Sequence, residues 1–352
     1  MKAILFALFL LVSSATYAAC PLTLGVSTNG GTAAQRAAVQ TSLDRVLADA
    51  CKDLPNADVS TYLDGMSNAN VVASKGIGVD YASEIDLFVV GAGAGVGADL
   101  GDGSISDIDA EKVRGFGLAT ALMAGVNLSM FKLPQVGFID FNKMKLFVNY
   151  MSMSQKFADD KMDFDSTTLG FHLQYNLVEG IDVVPGYMLR WTGVDITAGY
   201  EMNSMELKYT HTENKTGSYT DSGVTTNYNL SGNAVIAVDS STHSIPVEVS
   251  TGVRLLYLLS LYGGLGADFN FGESTATVTD SITGTATPSV GGVTATLDPS
   301  INVGQKGEPK SMMGRAFIGT MFNFWLVKIN IHVNKGLGND TFGANVGMRV
   351  AW

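Results

Sequence analysis

Four histidines are the side chains of this sequence with the clearest capacity for acid–base chemistry. They are His172, His211, His243 and His332. A catalytic histidine needs a nucleophile or a paired carboxylate within hydrogen-bond reach, and a Gly-x-Ser-x-Gly elbow is one local signature of such an arrangement. The sequence contains no such elbow. We therefore predict that the protein is not an enzyme and has no catalytic residues.

Clustered carboxylates are the second group that could do chemistry, because hard oxygen ligands at high density bind Ca²⁺. One group lies in residues 99–111 and comprises Asp99, Asp102, Ser104, Asp107, Asp109 and Glu111; a second comprises Asp159, Asp160, Asp163 and Asp165. The spacing does not match an EF-hand loop. The sequence favours solvated acidic loops and predicts no metal and no cofactor. The net charge of −11 also argues against a nucleic-acid partner.

The elements that carry these residues are strands, and the clearest is the last. Apolar and polar positions alternate through the final eleven residues, with Phe342, Ala344, Val346, Met348, Val350 and Trp352 on one face and Gly343, Asn345, Gly347, Arg349 and Ala351 on the other. An alternating strand of about 9–11 residues is typical of a membrane-spanning barrel. A terminal aromatic on such a strand resembles the sorting signal of Gram-negative outer-membrane β-barrels, which implies recognition by their insertion machinery.

The same alternation recurs along the chain. It indicates strands near residues 85–98, 114–130, 143–156, 165–178, 186–200, 204–213, 226–238, 244–257, 258–272, 311–322, 325–334 and 342–352. We predict an all-β fold, a transmembrane antiparallel up-and-down β-barrel of about 12 strands (10–14) with a short helical N-terminal segment. Residues 212–226 and 273–310 are polar and are predicted to be extracellular loops, the latter with enough Thr and Val for hairpins above the membrane.

Aromatic residues mark the predicted membrane boundary. Trp325 begins one strand after a short turn and Trp352 ends the next. Antiparallel pairing of these strands would bring both tryptophans to the same boundary, as an aromatic girdle requires.

The N-terminus indicates export. Lys2, an apolar run from Ile4 to Val12 and small residues up to Ala18 are typical of a signal peptide, so residues 1–18 are predicted to be removed and the protein to reach the bacterial outer membrane. Cys20 and Cys51 follow the cut. They are predicted to form a disulfide, since the periplasm is oxidising. The alternative is a lipidated Cys20, because Ala18-Ala19-Cys20 resembles the end of a lipobox.

Residues 19–83 precede the barrel of residues 84–352. Residues 32–51 have helical apolar spacing, with Thr32 as a candidate N-cap. Inward glycines such as Gly91, Gly93, Gly95 and Gly97 leave one wall bare. The N-terminal segment is therefore either a lumen plug or a periplasmic appendage. A helical segment before a barrel loosely resembles the hatch of long-chain fatty-acid transporters, which would imply hydrophobic-substrate uptake; no binding residue is transferred from that family.

Polar residues on the inward rows are candidates for the lumen lining. They are His172, Glu248, Arg254, Asp268, Lys328, His332 and Arg349. Mixed charge on facing walls suits either passage of small polar solutes or a lumen closed by ion pairs. The first expectation is therefore limited diffusion or uptake of small solutes, gated by the N-terminal segment. The alternative is a structural or adhesin-like barrel with a closed lumen and long extracellular loops, whose outside partner the sequence does not identify.

Overall fold

A single antiparallel sheet that curls into a ring accounts for most of the chain. The computed structural model describes residues 23–29, 33, 59–82, 85, 87–101, 113–137, 139–157, 161–184, 188–221, 224–288 and 294–352. Its strands are β1 (Thr23–Asn29), β2 (Phe88–Asp99), β3 (Gly115–Asn127), β4 (Met144–Phe157), β5 (Met162–Val184), β6 (Leu189–Asp221), β7 (Val224–Leu255), β8 (Leu259–Pro288), β9 (Thr294–Gly307), β10 (Met312–Phe324), β11 (Val327–Leu337) and β12 (Thr341–Ala351). One α-helix, α1 (Val59–Ala73), precedes β2, and two short 3₁₀ helices, Leu128–Phe131 and Phe141–Lys143, connect β3 to β4.

The ring closes where the end of the chain meets its first long strand. Each strand from β2 to β8 pairs with the next; β8 then pairs with β10, β10 with β11, β11 with β12, and β12 with β2. Within the described part of the chain, ten strands form the closed ring, while β9 pairs with β8 and β1 with β9 outside it. Closure removes the free edges that an open sheet would expose to lipid.

The strands of the ring bury alternate residues. Along β2, β10, β11 and β12 the inward side chains are buried, while outward ones such as Val96, Ile318, Ile331 and Val346 are exposed. A continuous exposed apolar surface on a closed ring is what lipid requires. The predicted all-β transmembrane antiparallel barrel is confirmed, with twelve strands in the sheet and ten in the ring.

The two ends of the barrel differ. One end, called here the closing end, holds Trp352, the turn at residues 256–258 and the turn at residues 325–326. At the other end, the strands continue beyond the ring. We call this extension the projecting sheet; it consists of residues 210–221, 224–235, 274–288, 294–307 and 23–29.

Strands β6, β7, β8 and β9 depart from the predicted strand bounds. The strands predicted near residues 186–200 and 204–213 correspond to one strand, β6 (Leu189–Asp221), and those predicted near residues 226–238 and 244–257 correspond to β7 (Val224–Leu255). Residues 273–310 contain the outer half of β8 and all of β9, so hairpins stand above the ring in this region. The predicted breaks at residues 201–203 and 239–243 lie inside the ring, where polar residues such as Asp239, Ser241 and Thr242 replace apolar ones although β6 and β7 remain paired.

The helix that the structure describes is α1, which the sequence pattern did not predict. The predicted helix at residues 32–51 lies outside the described residues apart from residue 33, as do the signal peptide, Cys20 and Cys51. No helix in the described ranges combines the length and the apolar character needed to cross a membrane.

Candidate functional site: the filled lumen

The lumen of the ring is occupied by the chain itself. Helix α1 and the residues that follow it, 74–82, run through the ring, and we call residues 59–82 the lumen segment. Its side chains are almost all buried from Leu63 to Ala82. The helix contacts β2 and β3 on one side of the ring and β6, β7, β8 and β12 around the rest of the wall, and it also contacts β9 of the projecting sheet. The lumen segment therefore fills the interior that the wall side chains leave open.

A glycine wall lets the helix approach the sheet closely. A Cβ built on Gly97 would lie 2.0 Å from the carbonyl oxygen of Ala69, and one built on Gly117 would lie 2.6 Å from the same atom. At Gly95 the nearest atom would be the carbonyl oxygen of Ala73, at 2.3 Å. Only glycine leaves room for helix backbone at these positions, so β2 and β3 are shaped for this occupant.

The lumen segment is packed by apolar side chains near both of its ends. Near the projecting end, Leu63 and Met66 join a buried cluster with Met162, Phe164, Met205, Leu207 and Val238. Towards the closing end, Val79, Tyr81, Ala82 and Ile85 join one with Val89, Met123, Phe147, Tyr262, Phe317, Met321 and Ala351. Apolar packing therefore lies above and below the middle of the lumen, where it excludes water.

Between these clusters, Lys75 connects the lumen segment to two strands of the wall. Its Nζ lies 2.7 Å from the Oε2 of Glu201 on β6 and 3.4 Å from the Oδ1 of Asp268 on β8. The same ammonium group donates a 2.7 Å hydrogen bond to the hydroxyl of Ser244 on β7. Ser74 donates a hydrogen bond of 2.9 Å to Glu201 as well. A buried ammonium is tolerated because two carboxylates and a hydroxyl surround it.

Arg315 forms the second half of this charged layer, from the wall at β10. Its Nε donates a 2.9 Å hydrogen bond to Oδ2 of Asp268, its Nη1 one of 3.0 Å to Asn334, and its Nη2 one to Glu248. Glu248 also accepts a 2.7 Å hydrogen bond from the hydroxyl of Tyr81 in the lumen segment. Asp268 therefore bridges the two cations, and Glu248 joins Arg315 to the lumen segment.

Amide side chains extend the connection towards the projecting end. Asn70 Nδ2 donates a 2.8 Å hydrogen bond to the carbonyl of Asn203, and Asn203 Nδ2 donates one of 2.6 Å to the side-chain oxygen of Asn70. Ser67 shares a 2.6 Å hydrogen bond with Ser274. These reciprocal contacts fix the rotation of α1 against β6, β7 and β8.

The histidines predicted to line the lumen are both buried and both hold wall contacts. His172 Nε2 lies 3.0 Å from Oε1 of Glu201. His332 Nε2 lies 2.9 Å from Oδ1 of Asn334, and its ring stacks on Tyr81 with centroids 5.5 Å apart. A side chain at Gly76 would collide with the His332 ring, and the φ of 82° at Gly76 suits glycine.

The other predicted lining residues also lie on the inward side of the wall. Arg349 donates a 3.3 Å hydrogen bond from Nη2 to the carbonyl of Gly76, and its Nη1 lies 3.5 Å from a carboxylate oxygen of Asp80. Lys328 is buried, and Arg254 is half-buried with its guanidinium 5.5 Å from the centre of the Tyr257 ring. Trp325 is 89% exposed at the closing end, where Trp352 also lies.

The residues that organise this layer, Lys75, Glu201 and Arg315, were not among the lining residues predicted from the sequence. Glu201 and Arg315 stand on inward rows of β6 and β10, so strict alternation would have found them. Lys75 gave no such signal, because it lies in a turn after α1. Within the described residues, no group of three or more His, Cys, Asp or Glu side chains could hold a metal ion.

The closed ring and its exposed apolar surface define an outer-membrane β-barrel protein. More narrowly, the chain belongs to the Lsa36-like family, whose model matches residues 22–352. No curated protein matches it.

Solved structures with similar folds are membrane barrels. The CymD monoaromatic hydrocarbon channel is 7% identical, with 82% of this chain and 98% of that one covered and a TM-score of 0.23. A Pseudomonas aeruginosa FadL homologue is 8% identical, covering 75% and 90%, with a TM-score of 0.22. The translocator domain of the autotransporter NalP from Neisseria meningitidis is 8% identical, covering 90% and 98%, with a TM-score of 0.26. These likenesses concern the fold alone.

Proposed function

We propose that this protein is a sealed outer-membrane barrel that acts at the cell surface through its projecting sheet. The observation that carries the proposal is the filled lumen: residues 63–82 are buried almost without a break. A constitutive diffusion pore needs a continuous aqueous path, and two apolar clusters interrupt any such path here. The adhesin-like alternative from the sequence is thereby favoured over limited diffusion.

The projecting sheet supports the surface role because its size exceeds what spanning requires. Strands β6 and β7 have 33 and 32 residues, whereas β11 and β12 have 11 each. About 12 residues of β6 extend past the ring, which is roughly 40 Å along the strand. A sheet of this length places a polar, Thr-rich surface well outside the membrane, where another molecule can contact it.

Conductance in a planar bilayer tests the sealed lumen. The refolded mature protein is expected to be silent under conditions in which a general porin conducts. Steady channel currents from the full protein would contradict the sealed lumen and would favour limited diffusion of small solutes as the function.

Attachment of expressing cells to bare and protein-coated surfaces tests the surface role. The matched variant replaces residues 215–230 by an Asn-Gly turn, which keeps the Asn214–Ser231 pair as the last rung of the hairpin. The shortened protein is expected to insert normally but to lose attachment. Equal attachment by both proteins would contradict a role for this hairpin.

The second candidate is gated passage of small polar solutes, and the polar interface of the lumen segment favours it. Several buried wall atoms have no hydrogen-bond partner in the described structure, among them Asn149 Oδ1, Ser166 Oγ, His172 Nδ1 and Gln174 Oε1. These four lie on β4 and β5, beside a charged layer whose groups water can solvate once the lumen segment moves. A permanently closed lumen has no need of such groups, since apolar side chains would fill it.

Two further properties belong to the same proposal. The protein acts without catalysis, which is supported by the commitment of His172 and His332 to Glu201 and Asn334 in a buried layer. Its C-terminal strand is the element that the barrel-insertion machinery binds, which is supported by the alternation of β12 and by the aromatic residue that follows it, Trp352.

A further inference from the structure

We propose that the chain crosses the outer membrane once more than its strands do, through the lumen, so that β1 and the start of α1 lie outside the cell. A barrel with an even number of strands ordinarily leaves both chain ends on the periplasmic side. Here the lumen segment, residues 59–82, runs through the ring. The direction in which this segment runs through the lumen determines on which side of the membrane β1 lies.

The start of α1 is held at the projecting end. Asp64 accepts a 2.8 Å hydrogen bond from the backbone N–H of Glu308, which follows β9. Asn68 donates a 3.0 Å hydrogen bond to Asp99, at the outer end of β2, and accepts one of 2.8 Å from the N–H of Lys310. These partners all lie where the strands leave the ring towards the projecting sheet.

The chain after α1 then descends towards the closing end. Gly76 contacts Arg349 on β12, and Tyr81 stacks on Tyr262 near the start of β8. Ile85 accepts a 2.7 Å hydrogen bond from the side chain of Asn127, at the last residue of β3. The N–H groups of Leu87 and Phe88 donate to the carbonyl of Trp352. The order of contacts along the chain is therefore a single passage from one end of the ring to the other.

Strand β1 confirms the side on which the earlier residues lie. It pairs with β9 from Thr23 opposite Ser300 to Asn29 opposite Thr294. Ser300 lies seven residues from Gly307, the end of β9 beside α1, so β1 begins about 23 Å along the strand from the ring. β1 therefore belongs to the projecting sheet and covers an edge of β9 that would otherwise be open.

The orientation in the membrane assigns these ends to the two sides. Outer-membrane barrels turn tightly on the periplasmic side and extend on the outer side. The closing end has the tight turns at residues 256–258 and 325–326, and the other end carries strands of up to 33 residues. Strand β1 is thus displayed outside as part of the surface that the barrel presents. This inference does not depend on whether the lumen conducts.

Antibody access on intact cells tests the inference in the full-length protein. One epitope tag is inserted between Gly30 and Gly31, a second after Gly338 in the β11–β12 turn, and a third after Gly137 between β3 and β4. We expect the tags at residues 30 and 338 to bind antibody on intact cells with no rise after the outer membrane is permeabilised. The tag at residue 137 should bind only after permeabilisation.

The result that overturns the inference is a residue-30 tag that behaves like the residue-137 tag while the residue-338 tag is accessible. Exchanged behaviour of the tags at residues 137 and 338 would overturn it too, since the barrel would then be inverted. Heat-modifiable migration on gels verifies that each tagged protein is folded. If the tag at residue 30 prevents folding, a tag between Leu22 and Thr23, at the other end of β1, tests whether β1 is accessible from outside the cell.

Discussion

The ammonium group of Lys75 lies 2.7 Å from the carboxylate of Glu201, with both side chains buried in the middle of the barrel. The two residues are 126 positions apart in sequence, so this contact joins the lumen segment to the far wall. Asp268 approaches the same ammonium from β8 at 3.4 Å. Removal of one partner from such a pair leaves an uncompensated buried charge, which costs about 3–5 kcal/mol.

Lys75→Met is expected to loosen the lumen segment without removing its bulk. The carboxylates of Glu201 and Asp268 would lose their shared cation, and the docked state would be weakened by about 3–5 kcal/mol, or roughly 10²–10⁴-fold in population. The measurement is single-channel recording, in which we expect brief openings that the unmodified protein lacks.

Lys306→Met is the matched control for that experiment. Lys306 also lies 2.7 Å from a carboxylate, that of Glu273, but both side chains are exposed on the projecting sheet. Exposed pairs contribute about 0–1 kcal/mol, so this variant should stay silent. A silent Lys75→Met protein with an unchanged unfolding temperature would contradict the view that the charged layer holds the lumen segment.

Gly97→Ala is expected to destabilise the folded barrel through its interior. The added Cβ would lie 2.0 Å from the carbonyl oxygen of Ala69, and a helix backbone has little freedom to move away. Overpacking of this kind costs about 1–3 kcal/mol. The measurement is the temperature at which the folded band disappears on an unheated-versus-heated gel series.

Gly314→Ala is the control, because it tests whether replacing any barrel glycine by alanine would destabilise the barrel. The Cβ at residue 314 would meet its nearest atom, in Leu337, at 3.6 Å, which is ordinary contact. Its unfolding temperature should match that of the unmodified barrel. An equal loss at both sites would show that the effect of Gly97→Ala does not come from the contact with α1.

Period-two alternation predicted the ring well because lipid and lumen impose opposite demands on successive residues. The rows read from β11 and β12 are the rows found, with Ile331 and Val346 outward and His332 and Asn345 inward. The pattern failed above the membrane. There strands such as β9 keep their pairing without an apolar row.

The lumen segment was the feature least accessible to pattern reasoning. Residues 59–73 combine Ser, Asn, Gly and Ala with few large apolar groups, because the helix packs on glycine at one side and on polar walls at the other. Such a helix has no single apolar stripe. The contact between Lys75 and Glu201 depends on the fold that brings β6 to the lumen segment, and no local spacing encodes it.

The state of Cys20 and Cys51 separates two hypotheses that the sequence left open. A disulfide predicts that thiol-reactive maleimide labels the denatured mature protein only after reduction, because both sulfurs are oxidised in an exported protein. A lipidated Cys20 predicts labelling of Cys51 without reduction and incorporation of fatty acid. Mass spectrometry of the mature protein, beside a Cys51→Ser variant, distinguishes them.

Trp352→Ala is expected to impair both assembly and closure of the barrel. The Trp352 ring meets that of Phe88 edge-on with centroids 4.9 Å apart, at the seam where β12 joins β2. Loss of an aromatic pair costs about 0.5–1.5 kcal/mol beyond the area it buries. Loss of the terminal aromatic also removes the group that we expect the insertion machinery to bind. We expect less folded protein in the outer membrane and a lower unfolding temperature for what is inserted.

Trp325→Ala is the control for Trp352→Ala, because Trp325 lies at the same end of the barrel. Trp325 is 89% exposed in the β10–β11 turn and lies outside the seam between β12 and β2. This variant should insert at the normal level. Purified Trp352→Ala protein refolded in detergent isolates the seam from the sorting signal. If its unfolding temperature is normal while insertion in cells fails, Trp352 acts as a sorting signal for the insertion machinery. If the unfolding temperature and the level of insertion fall together, the contact with Phe88 at the seam limits assembly.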